Sequence, residues 1–229
     1  MSTATLEMGP ITESMPIPAP MAVPTPIPVP IAIPTTGLVT PEDLLAMPDS
    51  VSYELVDGHL VERNVSVLSS LVALELARLI GNHVASRKLG WVFGTDLGYR
   101  CFPDRPGHIR KPDVSFVRLD RMPAESLGEG YSNVAPDLAV EVVSPNDLAE
   151  EVERKLGEYR GVGVPLVWIV YPAVRAARVH RLDGTTAYLL AEDHLDGGDV
   201  LPGLRIRLSD LLPEQAVAAL PEAAVPSPA

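Results

Sequence analysis

The sequence predicts an α/β domain, a mixed sheet flanked by helices, behind a disordered Pro-rich N-terminal extension. Three observations point there. Residues 137–143 (DLAVEVV) are mostly apolar on both alternating faces, the pattern of a central strand covered on both sides. Two helical patterns, Val67–Arg87 and the stretch after Ser144-Pro145, stand among short β-branched runs. Residues 15–34 (MPIPAPMAVPTPIPVPIAIP) carry proline at nearly every second or third position, which neither a helix nor a sheet interior accepts. That stretch is expected to be an extended, polyproline-type spacer.

The elements follow in order. Thr40-Pro41-Glu42-Asp43 offers a cap, a proline at the first helical position and acids in the first turn, so a short helix runs to Pro48. Residues 52–56 and 59–63, joined by Asp57-Gly58, read as a hairpin. Val67–Arg87 carries Leu68, Leu71, Val72, Leu74, Leu76, Leu79, Ile80 and Val84, an amphipathic to nearly buried helical pattern. Residues 91–94, 97–102 and 113–117 are expected strands, and 118–133 is mostly loop. The strand 137–143 ends at Pro145, and Asn146 or Asp147 can cap the next helix. Strands are expected at 166–170, 177–182, 185–191 and 204–208. The chain thus divides into an extension (1–39), a core (40–212) and a flexible Ala/Pro/Glu-rich tail (213–229).

Net charge is −12; Glu7, Glu13, Glu214 and Glu222 lie in the tails, leaving 26 acids against 18 bases in the core. This excludes a protein coated in basic surface for nucleic acid, but not a nuclease, whose metal-holding carboxylates are themselves acidic. Arg100, Arg105, Arg110, Lys111, Arg118 and Arg121 cluster in sequence and could line a basic groove or a solvated loop. The extension lacks the basic start of a secretory signal, and no other stretch is expected to span a membrane. A lone Cys101 excludes an intramolecular disulfide and points to a reducing compartment, with cytoplasm the default.

Four charges sit in apolar surroundings: Glu54, Asp113, Glu141 and Lys155. Glu141 lies inside the central strand. On the following helix Leu148, Val152, Leu156 and Tyr159 form a stripe, and Lys155 falls within it. An isolated lysine there would snorkel to water. A glutamate facing inward on the preceding strand favours a pair instead, because buried charges are costly alone. Converging carboxylates would hold a hard divalent ion such as magnesium, and a lysine beside it would orient water or steady developing charge. Asp113 capping a turn, and Glu54 facing solvent from an edge strand, remain open alternatives. There is no GxxxxGK phosphate loop, HExxH helix, CxxC pair or GxSxG elbow. His59, His83, His108, His180 and His194 show no metal-ligand spacing.

The runs YELVDGHLVE, KPDVSFV, PDLAVEVVSPND and ERKLGEYRGVGVPLVWIV, in that order, resemble the Uma family of restriction endonucleases, within the PD-(D/E)xK nuclease superfamily. The resemblance spans about residues 40–212. It implies a restriction-endonuclease-like fold with Asp113, Glu141 and the Val142 carbonyl as magnesium ligands. Lys155 would position the attacking water, and Glu54 would assist the metal or a water. The superfamily's usual lysine position, two residues after the glutamate, holds Val143; Lys155 matches the family's displaced lysine. Two further departures are Val67-Leu68-Ser69-Ser70, where members often carry histidine, and Tyr171, where they often carry aspartate.

The resulting expectation is a magnesium-dependent endonuclease cleaving DNA, with a homodimer bringing two sites to two strands and no membrane partner. RNA cleavage would use the same residues. The rival is a catalytically silent nuclease-like fold that binds nucleic acid or a protein, with the Pro-rich segment as a docking strand.

Overall fold

A computed structural model describes residues 37–213. The Pro-rich segment 15–34 and the end 214–229 lie outside the described residues. Helix α1 (Pro41–Ala46) starts in a reciprocal capping box between Thr40 and Asp43. Val39, assigned in sequence to the extension, is already buried, its amide bonded 2.8 Å to the Gly58 carbonyl. Strands β1 (Tyr53–Val56) and β2 (His59–Glu62) form the expected hairpin, with Asp57 and Gly58 both at positive φ. Helix α2 (Val67–Arg87) has the bounds read from sequence: Ser66 caps its start, and Lys88 closes it in the left-handed region.

The central sheet holds β3 (Gly90–Gly94), β4 (Val114–Arg118), β5 (Leu138–Val142), β6 (Leu166–Tyr171), β7 (Ala176–Arg181) and β8 (Thr186–Leu189), in that spatial order. The β5–β6 pair is parallel and the other neighbours are antiparallel. Helix α3 (Ala149–Gly161) makes the crossover a parallel pair requires. Strands β9 (His194–Asp196) and β10 (Arg205–Arg207) form a separate hairpin-like pair; β9 was not anticipated.

The two faces divide the core. On one, Val72, Leu76, Ile80 and Val84 of α2 pack on Phe116, Val140, Trp168 and Val179. On the other, Val152, Leu156 and Tyr159 of α3 pack on Ala139, Val167 and Ile169. Because strand side chains alternate, Glu141 shares the α3 face with Ala139. That placement decides where the site lies. Among the described residues, α2 alone has the length and hydropathy to suit a bilayer, contrary to the sequence expectation, but its buried stripe is committed to this sheet.

Three local expectations differ from the structure. Residues 97–102 form no strand. Tyr99 pairs with Arg110 while the Arg100 amide turns to Ser132, so the backbone divides its bonds between two segments. Neither Asn146 nor Asp147 caps α3; Leu148 stands at the cap position, and Asp147 instead accepts the Ser144 amide at 2.6 Å. Leu148 is exposed, so the buried stripe of α3 begins at Val152.

Candidate active site

Four separate elements bring the predicted charges together. Glu54 comes from β1, Asp113 from the residue before β4, Glu141 from β5 and Lys155 from α3. All four border one cavity of about 180 Å³, with Arg63 and Val142 also in its wall. The Lys155 Nζ lies 3.0 Å from Glu141 Oε2 and 3.2 Å from Glu54 Oε2. Lysine and carboxylate therefore meet across the strand–helix crossover, as the two periodicities predict.

Each carboxylate has further partners. Tyr159 donates its hydroxyl to Glu141 Oε1 at 2.7 Å. The Val142 amide donates to Asp113 Oδ2 at 2.7 Å, and Arg63 donates to Asp113 Oδ1 at 2.7 Å. Glu54 accepts the Lys111 amide at 2.8 Å and Arg110 at 2.9 Å. The open alternatives for Asp113 and Glu54 are thereby decided: Asp113 faces the cavity and β5, and Glu54 is buried.

Behind Glu54 stands a charge network absent from the sequence reading. Arg110 is fully buried and also bonds Glu151 at 2.8 Å and Glu158 at 2.6 Å. Arg105 joins Glu158 at 2.6 Å to Asp57, and the buried His108 ring lies 3.1 Å from Glu158. Glu158, off the apolar stripe of α3, is thus a hub. Of the run that could line a basic groove or a solvated loop, several members are taken up by partners within the chain. Arg100 is held by Glu42, Arg118 and Arg121 flank Asp137, and buried Lys111 donates to the Ser50 carbonyl.

Electrostatics separate the four groups. Burial pushes Glu141 up to about 6, against the pull of Lys155 and with a contribution from Asp113. Burial likewise raises Asp113 despite Arg63. Burial opposes the charge on Glu54, but Lys155 and Arg110 outweigh it and hold that carboxyl below its ordinary value. Burial also opposes the charge on Lys155, yet Glu141 and Glu54 raise it above an ordinary lysine.

Among the described residues no group of three or more His, Cys, Asp or Glu side chains is placed to share a metal ion. Asp113 and Glu141 fit a divalent ion of the magnesium type, which is held by one or two carboxylates and keeps several waters. They are hard oxygen donors whose burial disfavours their own ionisation, in a cavity with room for water. Each carboxylate oxygen keeps a second lone pair beyond its present bond. Val142 lines the same cavity, its amide bonded to Asp113 Oδ2.

Sequence reasoning missed Arg63, Arg110, Glu151 and Glu158 as parts of this centre, and took Tyr159 only as core.

Comparison with known proteins adds the following. The Uma2 family model, described as "Putative restriction endonuclease", matches residues 41–209. No curated protein sequence matches the chain. Among solved structures, the chain is similar to "a putative nuclease belonging to DUF820" from Anabaena variabilis, at 21% identity and a TM-score of 0.64. That match covers 76% of this chain and 97% of the other. At that identity the likeness speaks to the fold, which is therefore of the nuclease type.

Proposed function

The chain belongs to the Uma2 restriction-endonuclease family, and from that premise we propose that it is a magnesium-dependent endonuclease hydrolysing DNA phosphodiester bonds in the Glu54–Asp113–Glu141–Lys155 cleft. The observation that carries the reading is Lys155 held 3.0 Å from Glu141 and 3.2 Å from Glu54, in the cavity that Asp113 also borders. Asp113, Glu141 and the Val142 carbonyl would hold magnesium. Bound there, the ion would lower the pKa of a coordinated water and neutralise charge on the phosphate.

The chain's own groups supply the rest. Lys155 stays protonated between two carboxylates, so it acts as a hydrogen-bond donor and a positive charge, not as a base. It would orient the attacking water and steady the oxyanion as charge develops. Glu54 carries three partners, two of them the cations Arg110 and Lys155, where Asp113 and Glu141 carry one cation each. That assigns Glu54 to positioning Lys155 in preference to the metal. Tyr159 fixes one oxygen of Glu141 and leaves the carboxylate a single orientation. A homodimer would place two such clefts on the two strands of a duplex.

A silent binding module is the second reading, supported by the same ion pairs: Glu54, Asp113, Glu141 and Lys155 each already have an internal partner. The test is cleavage of a mixed DNA and RNA panel with and without magnesium, with Asp113→Ala and Lys155→Ala beside the wild type. Metal-dependent cleavage by the wild type alone is expected. No cleavage, together with no Asp113-dependent magnesium binding, would establish the silent module.

A further inference from the structure

Arg63 stands just after β2, and its amide is anchored 2.9 Å from the Ser52 carbonyl. Its side chain reaches Asp113 Oδ1 at 2.7 Å and also donates to Thr95 Oγ1. The guanidinium thus sits on the carboxylate that the proposed function gives to the metal. It also borders a second cavity of about 660 Å³ that adjoins the first and shares Asp113 with it; Asn64, Ser69, Thr95 and Asn146 supply polar wall there. All 18 Lys and Arg of the chain lie within the described residues, since neither tail carries one. Among them, Arg63 and Lys155 border the first cavity, and Arg63 alone borders the second. Lys155 is committed to two carboxylates; Arg63 has one carboxylate and one hydroxyl for its five N–H donors.

We propose that Arg63 is an exchangeable placeholder cation, neutralising Asp113 until a divalent ion takes that carboxylate, and then turning to hold the substrate's phosphodiester. The inference rests on the metal-dependent reading of the cleft. A guanidinium and a divalent ion on one carboxylate repel each other, so each weakens the other's hold on Asp113. An arginine fork matches a phosphate oxygen pair as well as it matches a carboxylate. A phosphodiester offered near the two cavities would draw Arg63 away, and Asp113 would be left for the ion. Metal and nucleic acid then bind cooperatively, and by linkage each tightens the other by the same factor.

The experiment is calorimetry on the full chain with two probes: magnesium chloride alone, and a short single-stranded DNA oligonucleotide with and without magnesium. Arg63→Gln is expected to bind magnesium about ten-fold more tightly than wild type and the oligonucleotide about ten-fold more weakly, with most of the mutual tightening lost. Arg63→Lys keeps the charge without the fork and should fall between the two, which a purely structural role for Arg63 would not produce. Asp113-dependent magnesium binding that is no tighter in Arg63→Gln would overturn the placeholder and leave the nuclease reading standing. Magnesium binding absent from wild type and Arg63→Gln alike, or indifferent to Asp113→Asn, would remove both.

Discussion

Glu54 and Lys155 act as one electrostatic unit, since the 3.2 Å pair, with Glu141 at 3.0 Å, keeps the lysine charged inside the fold. Glu54→Gln should therefore cut cleavage by about 10²-fold while leaving magnesium affinity within a few-fold of wild type. Parallel turnover and calorimetry would check this; a lost metal site would show that Glu54 is a ligand. Arg110 is the structural counterpart. Its removal takes a buried cation from Glu54, Glu151 and Glu158 at once, so Arg110→Met is expected to lose about 3–5 kcal/mol in urea unfolding. Protonation links the same residues to pH. Burial opposes ionisation of Glu158, but bonds from His108, Arg110 and Arg105 hold it well below the ordinary value of 4.5. A depressed carboxyl stabilises the fold above its unfolded pKa, and the contribution disappears as pH falls through the folded value. Glu158→Gln should thus be less stable at neutral pH and show a shallower acid-unfolding slope. Glu141 has the opposite sign, lifted to about 6, so magnesium affinity should decline as pH drops through that value and the proton competes for the ligand. The Glu141–Lys155 pair was legible because strand and helix periods both point inward across one short crossover. The Arg110–Glu54 and Arg63–Asp113 pairs were not, because their partners are 56 and 50 residues apart and meet only through tertiary packing.

Elements were most legible where local chemistry decides them. Ser66 and the αL turn at Lys88 set both ends of α2, and its period-3.6 stripe of Val72, Leu76, Ile80 and Val84 is what the sheet covers. Leu76→Ala should cost about 2–5 kcal/mol, read by denaturant unfolding, because the cavity left under the sheet cannot fully collapse. Gly90 begins β3 where a Cβ would come 2.1 Å from the Val117 carbonyl oxygen, so β3 can lie against β4 there only with glycine. Residues 97–102 were misread because their apolar alternation reflects burial of Tyr99 and Phe102, not pairing to a neighbouring strand. The start of α3 was misread because Asp147 was free to fold back on Ser144.

The whole molecule is acidic, and its cations are largely spent on internal carboxylates, Arg100, Arg105, Arg110, Arg118 and Arg121 among them. Sequence composition showed the excess of acid; it could not show that arginines of the run 100–121 pair with carboxylates of the same chain, since that depends on which loops it crosses. Nucleic acid should accordingly bind with a shallow salt dependence, reflecting few phosphate contacts, rather than the steep slope of a basic surface. Everything proposed for the cleft depends on its being a metal centre and not a self-satisfied ion-pair network. The most direct measurement is anomalous diffraction from a crystal soaked in manganese, a stand-in for magnesium. The expected result is a peak within about 2.1 Å of oxygens of both Asp113 and Glu141, with Lys155 beside it. A cleft without such a peak, Arg63 still on Asp113 and Lys155 still closing Glu141, would contradict it.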